Sequence, residues 1–232
     1  LKGKLPKGTY ALTYGNLPWA FMSLLYGAGG TLENDMDDLT KDVWRKPMEK
    51  LKEAYDAGVV APMDVDGEQA FGSGKAVFAQ LGTWAQGNMS NTLGADKIAE
   101  ANTLQYSADN PVNFFYQCNW MQLKDPHRSA AKSAAAADFV KYVYEHWMDW
   151  SEVGSISPAY RDLNNPKYQK LIQASFTNSK KERDYIKTSN YLYGGYATAG
   201  WGTYNDIVYG NVGLEEGLKT LDLMAQGQIE IQ

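Results

Sequence analysis

Residues 68–84 (EQAFGSGKAVFAQLGTW) constrain the fold of this chain most strongly. They predict a short helix, a glycine turn, a buried strand and a second glycine turn in close succession. Phe71 closes the predicted helix, and Gly72 and Gly74 permit the positive φ that a helix end and a tight turn need. Such a rapid alternation of helix and strand is typical of an α/β protein.

The strand in this segment covers residues 76–81, which is the usual length of one strand. Its apolar side chains are Val77, Phe78 and Leu81. Gly82 and Thr83 then start a new helix, with Thr83 as the predicted N-cap. Trp84 consequently stands where a strand gives way to a helix, a common ligand position in α/β proteins.

The composition limits the possible function classes. The chain has 232 residues, 44% hydrophobic, so it can bury a sizeable core in one large domain or two small ones. Its formal net charge of −5 argues against nucleic-acid and anionic-membrane partners. One cysteine and two histidines exclude a disulfide framework and a cysteine-based zinc site, so we expect neither metal nor cofactor. No apolar run has the length of a membrane span.

Aromatic residues make up 13% of the chain, with 7 Trp and 16 Tyr against 7 Phe. Tyrosine and tryptophan favour positions with one wet edge, although core packing explains aromatic rings equally well. Trp44, Trp147 and Trp150 fit helix packing, although Trp147 and Trp150 fit the shielding of a hinge equally well.

The N-terminal third predicts a strand at residues 7–15 and an apolar helix at 18–26 that stops at the glycines of 27–30. A second helix is expected over residues 37–58, capped by Asp37 or Asp38. Pro47 lies inside this pattern, so the helix either starts at Lys46 or is kinked there.

Beyond Trp84 we predict a turn at 91–94, strands at 101–107 and 114–123, and a long helix from Ala130 to about Trp147, capped by Ser129. The expected buried side of this helix is Ala134, Ala137, Phe139, Val140 and Val143.

The C-terminal third predicts short polar helices at 165–177 and 180–186. A glycine-aromatic loop at 191–201 then opens a helix through Tyr209. The last predicted helix, 213–226, is amphipathic. Its apolar face is Leu214, Leu218, Leu221 and Met224.

Three of these patterns resemble the extracellular solute-binding proteins of ABC importers, in the sugar-binding branch. They are the F-x-x-G-K-A, strand, G-x-W order of residues 71–84, the strand, Pro-aromatic helix and G-G stop of residues 7–30, and K-D-P followed by A-x-x-F-x-x-Y within 124–142. The resemblance runs in order along essentially the whole chain. It implies an α/β, periplasmic-binding-protein-like (Venus-flytrap) fold, with the N-terminal segment of the first lobe absent.

The resemblance also implies a division of the chain. Residues 1–117 would form the second-lobe α/β segment, 118–188 the hinge strand and the helices that return to the first lobe, and 189–232 the helices that complete the second lobe. The missing first-lobe segment of the same protein is the expected partner, and the isolated chain would either pair with a separate first-lobe chain or bind its ligand weakly.

In this family the tryptophan at the position of Trp84 stacks on a sugar ring. A sugar offers a C–H face to aromatic rings and a rim of hydroxyls to polar groups. The further candidate ligand-binding residues are Trp19, Trp201, Tyr196 and Asn119. The implied function is non-catalytic binding of a carbohydrate, of the oligosaccharide type, between two lobes, for delivery to a membrane ABC permease. The location would be extracytoplasmic, either periplasmic or lipid-anchored (as a lipoprotein).

Alternatives remain open. Tyr191, Tyr193 and Tyr196 suggest ferric iron, which some relatives bind through tyrosines, and a peptide is another possible solute. A structural or adhesive surface protein with the same fold is not excluded by any sequence feature.

A glycan-acting enzyme would need two carboxylates placed across a bond. The pairs Asp37–Asp38 and Glu215–Glu216 are better explained as helix-start charges. His127 and His146 have no nucleophile motif near them, and the glycines of 72–75 lack the spacing of a phosphate loop. We therefore expect no catalysis.

Overall fold

Helices outnumber strands in the part of the chain that the computed structural model describes, which comprises residues 3–15, 17–32, 34–112, 122–153, 160–174 and 200–227. The strands are β1 (Tyr10–Tyr14) and β2 (Ala76–Gln80). The helices are α1 (Leu17–Gly27), α2 (Asp42–Asp56), α3 (Gly67–Gly72), α4 (Ala85–Leu93), α5 (Ala130–Glu145), α6 (Trp147–Glu152), α7 (Trp201–Tyr209) and α8 (Leu214–Ala225), with short 3₁₀ turns at Tyr160–Asp162 and Tyr168–Lys170.

The chain divides into two compact units, each built from segments that are distant in sequence. Unit 1 comprises Leu1–Gly82, Ala101–Phe114 and Ser179–Gln232, and unit 2 comprises Thr83–Glu100 and Phe115–Asn178. The predicted division at residues 117 and 188 stays a prediction.

The sheet of unit 1 pairs β1 and β2 in parallel, with Tyr10 opposite Ala76 and Leu12 opposite Phe78. The sequence predicts both strands correctly. The expected burial of β2 is wrong, because Val77 and Phe78 are 47% and 60% exposed. Among the described residues this sheet has two strands, so β2 is an edge strand with little to cover it.

The core of unit 1 is a layer of four helices: α1, α2, α7 and α8. Phe21 of α1 lies at its centre, with its ring 5.2 Å from that of Trp44 and 5.1 Å from that of Tyr204. Since all three side chains are almost completely buried, they supply a large share of the hydrophobic stabilisation. The predicted packing role of Trp44 is confirmed.

The predicted apolar face of α8 is also confirmed. Leu218, Leu221 and Met224 are buried against this layer, and Leu214 is partly buried. On the opposite side of the helix start, Glu215 forms a two-point ion pair with Arg45 of α2, with Nε–Oε1 and Nη2–Oε2 distances of 2.8 and 3.1 Å. This contact fixes how α8 lies along α2.

The start of α2 differs from the prediction. The helix begins at Asp42 and contains Pro47, and Lys41 is its N-cap without a side-chain capping bond. Asp37 does not cap it because its carboxylate is paired with the Lys41 ammonium at 2.8 Å. Asp38 does not cap it either, since it accepts hydrogen bonds from the backbone N–H and the hydroxyl of Thr40.

Unit 2 has a smaller described core than unit 1. Its buried apolar residues are Ala85, Met89, Val143, Tyr168 and Ala174. The predicted cap of α5 is confirmed, because the Ser129 hydroxyl accepts the N–H of Lys132. The predicted buried side of α5 is wrong except for Val143: Phe139 and Val140 are 51% and 44% exposed, and Ala134 and Ala137 are exposed as well.

Several other boundaries differ from their predictions. The turn expected at 91–94 is the last turn of α4, which ends at Gly94 with φ +96°. Residues 101–107 form no strand, and α5 ends at Glu145 before α6 begins at Trp147. The expected helix at 165–177 is reduced to a 3₁₀ turn within the described residues. The predicted strand at 114–123 falls mostly outside those residues, and the predicted helix at 180–186 does so entirely.

Burial raises the pKa of Glu100 in unit 2 to about 7, from an ordinary value of 4.5. The folded state therefore holds this proton more tightly than the unfolded state, so the stabilising contribution is complete below pH 4.5 and is lost as the pH rises through 7. Glu100→Gln is expected to raise the free energy of unfolding by about 1 kcal/mol at pH 8, after allowance for partial exposure, and to leave it unchanged at pH 4. Urea unfolding at the two pH values measures this, and an equal effect at both would contradict it.

Candidate functional site

Trp84 occupies the N-cap position of α4, and its indole is 56% exposed. The sequence predicts the helix start here correctly but assigns the cap to Thr83. Thr83 instead lies one residue before the cap, and its carbonyl accepts the N–H of Gln86 at 3.2 Å. A large aromatic side chain at a helix start, with more than half of its surface in water, is available for contact with a ligand.

A chain of buried amide hydrogen bonds within unit 2 fixes the start of α4. The Gln86 amide donates to Oε1 of Gln173 at 2.9 Å, and the Gln173 amide donates to the carbonyl of Ser151 at 2.7 Å. Gln173 is only 3% exposed, and Ser151 is fully buried in α6. Because each amide satisfies the next polar group, the first turn of α4, and with it Trp84, is held in one position.

The sequence gives no signal for these positioning residues. Gln86 and Gln173 are 87 positions apart, and neither belongs to a motif. Only the fold brings them together.

Trp19 is the third residue of α1 and is half-buried, whereas its neighbours along the helix are almost all buried. The α1 helix is packed on several sides, so the half-exposed Trp19 is an exception on it. The structure therefore leaves part of this indole at the surface of unit 1.

Trp201 is the first residue of α7, as the sequence predicts, and α7 packs against α1. The rings of Phe21, two residues after Trp19, and Tyr204, three residues after Trp201, lie 5.1 Å apart. The first turns of α1 and α7, which carry Trp19 and Trp201, are thus neighbours in the helical layer of unit 1. The side chain of Trp201 is outside the described residues.

Two further candidates, Tyr196 and Asn119, lie outside the described residues, and their roles stay predictions. The same holds for the tyrosines at 191 and 193 that suggest iron. Within the described ranges, no group of three or more histidine, cysteine or carboxylate side chains has the arrangement of a metal site.

Three of the carboxylates in the pairs Asp37–Asp38 and Glu215–Glu216 have identified partners. The hydrogen bond from Lys41 holds the pKa of Asp37 below its ordinary value, and Thr40 does the same for Asp38. Glu215 is paired with Arg45. The lowered pKa values of Asp37 and Asp38 are the opposite of the raised pKa that a general acid needs.

His146 also has a structural explanation. Its ring stacks on Tyr142 at a centroid distance of 3.9 Å, and Nδ1 lies 2.8 Å from the Tyr142 carbonyl.

Burial raises the pKa of the Tyr14 and Tyr204 phenols, which keeps both neutral. The glycines of 72–75 end α3 and lead into β2, and Gly74 has φ +72°, so this loop is a helix-to-strand turn.

No helix in the described ranges combines the length and the apolar character that crossing a bilayer requires. No protein-family model matches the sequence, and no curated protein sequence matches it.

Solved structures do match, over nearly the whole chain. MalE3 of T. maritima, a structure with bound maltose, has a TM-score of 0.71 at 11% identity and covers 96% of this chain. The maltose/maltodextrin-binding domain MalE of Bdellovibrio bacteriovorus, bound to maltotriose, has a TM-score of 0.70 at 15% identity and covers 98% of this chain. An ABC transporter solute-binding protein of Thermotoga lettingae, bound with alpha-D-tagatose, has a TM-score of 0.65 at 16% identity and covers 94% of this chain.

This chain spans 61%, 62% and 59% of those three proteins, about three fifths of their length. Because the sequence identities are so low, the similarity shows a shared fold. The chain therefore has the α/β, periplasmic-binding-protein-like fold of sugar-binding solute-binding proteins, over a part of their length.

Proposed function

We propose that this chain binds a carbohydrate reversibly, without catalysis, as part of a solute-binding protein that delivers the sugar to a membrane ABC permease. The observation that carries the proposal is the exposed indole of Trp84, held at the start of α4 by the Gln86–Gln173–Ser151 hydrogen bonds. The three solved structures of the same fold that are compared above have maltose, maltotriose and tagatose bound.

The chemistry of an indole fits a sugar. The C–H groups on one face of a pyranose pack on an aromatic ring, and the indole offers a large rigid surface with few rotamers to lose on binding. Trp19 and Trp201 would extend such stacking to further rings, which is why we favour an oligosaccharide. Asn119 and Tyr196 would supply polar contacts to hydroxyl groups.

Catalysis is not part of the proposal. Three of the four carboxylates in the pairs that a glycosidase would need are tied to Lys41, Thr40 and Arg45.

The proposal includes a first-lobe segment of the same protein as partner, which would contribute the remaining ligand contacts. It also places the protein outside the cytoplasmic membrane, in the periplasm or on a lipid anchor, because an ABC importer collects its solute there.

The test is a thermal-shift and calorimetric titration of the chain, alone and with the segment encoded ahead of Leu1, against maltose, maltotriose and tagatose. We expect at least one sugar to raise the melting temperature of the longer protein. Trp84→Ala is expected to weaken that binding by about tenfold, equivalent to about 1.4 kcal/mol, because a stacking surface is lost.

Tyr142→Ala is the matched control, since this aromatic residue is 59% exposed, close to the 56% of Trp84, and lies in α5, outside the Gln86–Gln173–Ser151 hydrogen bonds. It should leave the affinity unchanged. Stabilisation by ferric ion or a peptide instead of any sugar would show that the solute is wrong. The absence of any small ligand would favour a structural or adhesive role.

A further inference from the structure

The first turn of α4 is weak by its own sequence. Its N-cap, Trp84, makes no side-chain capping hydrogen bond, and no acidic residue follows in that turn to complement the helix dipole. Gly87 is the third residue of the helix, and glycine is among the poorest helix formers. With local forces alone, the start of a nine-residue helix with these features would fray, and the Trp84 side chain would not keep one position.

The apolar packing beneath this turn also fixes its position poorly. The buried residues next to Gln86 and Gln173 in the sequence are Ala85 and Ala174, each 3% exposed. Alanine buries little apolar area, and hydrophobic contacts have no preferred direction. Burial therefore holds the start of α4 within unit 2 without defining how the helix is rotated about its axis.

Hydrogen bonds supply the direction that this packing lacks. A side-chain amide has one donating and one accepting end. Because the Ser151 carbonyl can only accept, the Gln173 amide turns its NH₂ group toward Ser151, at 2.7 Å, and its oxygen toward Gln86. That oxygen accepts from the Gln86 amide at 2.9 Å. The Ser151 carbonyl therefore decides which end of Gln173 faces Gln86.

We propose that Gln173 is a positioning residue of the candidate binding site. Oriented by Ser151, it keeps the first turn of α4 wound through Gln86, and so presents the Trp84 indole in one orientation before any ligand arrives. At 3% exposure it lies too deep to touch a ligand itself. Its effect is preorganisation, which raises affinity because fewer conformations are lost on binding. The class of ligand rests on the proposed function, whereas the positioning of Trp84 does not.

Fluorine NMR of the protein labelled with fluorotryptophan tests the positioning. Trp84→Phe identifies the Trp84 resonance. Gln173→Met keeps the length of the side chain and removes both amide hydrogen bonds, so we expect this resonance to move toward its position in the urea-unfolded protein. The resonance of Trp44, in the core of unit 1, should not move. Gln86→Met, which breaks the same chain of bonds from its half-buried end, should move the Trp84 resonance in the same direction.

Titration of the same variants with maltose, maltotriose and tagatose, in the longer protein, tests the consequence for binding. We expect Gln173→Met to weaken binding by about fivefold, less than the loss of the indole itself, since a frayed turn still adopts the bound position for part of the time. The double variant Gln86→Met/Gln173→Met should bind no more weakly than Gln173→Met alone, because both substitutions act through one bond.

Tyr168→Phe is the matched control. Tyr168 is completely buried in the same small core, and its hydroxyl donates to the main-chain carbonyl of Gln173 at 3.4 Å. Its substitution removes a buried hydrogen bond of unit 2 and leaves both side-chain amides in place. We therefore expect a lower melting temperature with an unchanged Trp84 resonance and an unchanged affinity, which separates positioning from stability.

An unmoved Trp84 resonance in Gln173→Met would overturn the proposal. An equal movement in Tyr168→Phe would also overturn it, because the effect would then be one of core stability. So would a moved resonance with undiminished sugar affinity, since the position of the indole would then not control binding. If circular dichroism shows that Gln173→Met does not fold, Gln86→Met carries the same test. A moved resonance in a protein that no sugar stabilises would keep the positioning of Trp84 and reject carbohydrate binding.

Discussion

Trp44→Ala is expected to lower the free energy of unfolding by about 4 kcal/mol, the largest effect of any single substitution considered for this chain. The indole is completely buried between α1, α2 and α7, and it stacks on Phe21 at 5.2 Å. Its Nε1–H also donates to the Asp35 carbonyl at 2.7 Å, so truncation leaves a cavity and removes a hydrogen bond. Urea unfolding followed by circular dichroism measures the change.

Trp84→Ala is the matched control, because it removes the same side chain from a position that is 56% exposed. It should change the stability by less than about 0.5 kcal/mol. Trp44→Phe should be intermediate, at about 1–2 kcal/mol, since it keeps an aromatic ring but loses the donor to Asp35 and part of the buried volume. If Trp44→Ala and Trp84→Ala have equal effects, the helical core of unit 1 is wrongly assigned.

Gly217→Ala in α8 should destabilise the protein by about 2 kcal/mol, even though alanine is the better helix former. A Cβ at this position would overlap the Ile207 side chain and lie 3.2 Å from Val212. Ile207 is completely buried, so it has no free space into which to move. The absent side chain is what lets α8 approach α7 closely.

Gly202→Ala, in α7, is the control with the opposite sign. This glycine is exposed, and no atom lies within 4 Å of an added Cβ, so alanine should stabilise the helix by about 0.5–1 kcal/mol. Thermal unfolding of both variants measures the pair. A stabilising Gly217→Ala would mean that α7 and α8 are further apart than the structure places them.

Local signals in the sequence predict most helices and strands because each depends on a few neighbouring residues. Ser129 caps α5, Gly74 takes the positive φ that the turn before β2 requires, and the leucines of α8 lie on one face, all as their spacing indicates. These features are decided within one or two turns of chain, so no distant contact can override them easily.

Burial is predicted less well, because it depends on what the rest of the molecule places against each element. Phe139 and Val140 have the spacing of a buried stripe, and Phe78 has the character of a core strand, yet all three are exposed. Asp37 and Asp38 have the chemistry of N-caps, but a lysine and a threonine nearby compete for them and the helix starts later. Periodicity identifies an apolar face and cannot identify the element that covers it.

For the candidate site, the sequence predicts the position of Trp84 after β2 and of Trp201 at the start of α7. These positions follow from glycine turns and helix starts. The support beneath Trp84 could not be predicted, since Gln173 reaches Gln86 and Ser151 only through the fold. The ligand-binding role of each aromatic residue stays a prediction.

The discontinuous construction of unit 1 has a consequence for synthesis in the cell. The backbone N–H of Leu39 donates to the Asp222 carboxylate at 2.9 Å, and the Gln226 amide donates to the carbonyls of Met36 and Asp37. When a ribosome has made α1 and α2, the helices that will cover them, α7 and α8, have not yet been synthesised. They lie further along the sequence by more than half the length of this chain. The apolar sides of α1 and α2 are therefore open to water, to chaperones and to other nascent chains until α7 and α8 have been made. A stop codon that removes only α8 would thus leave the first-made part of unit 1 permanently unfinished.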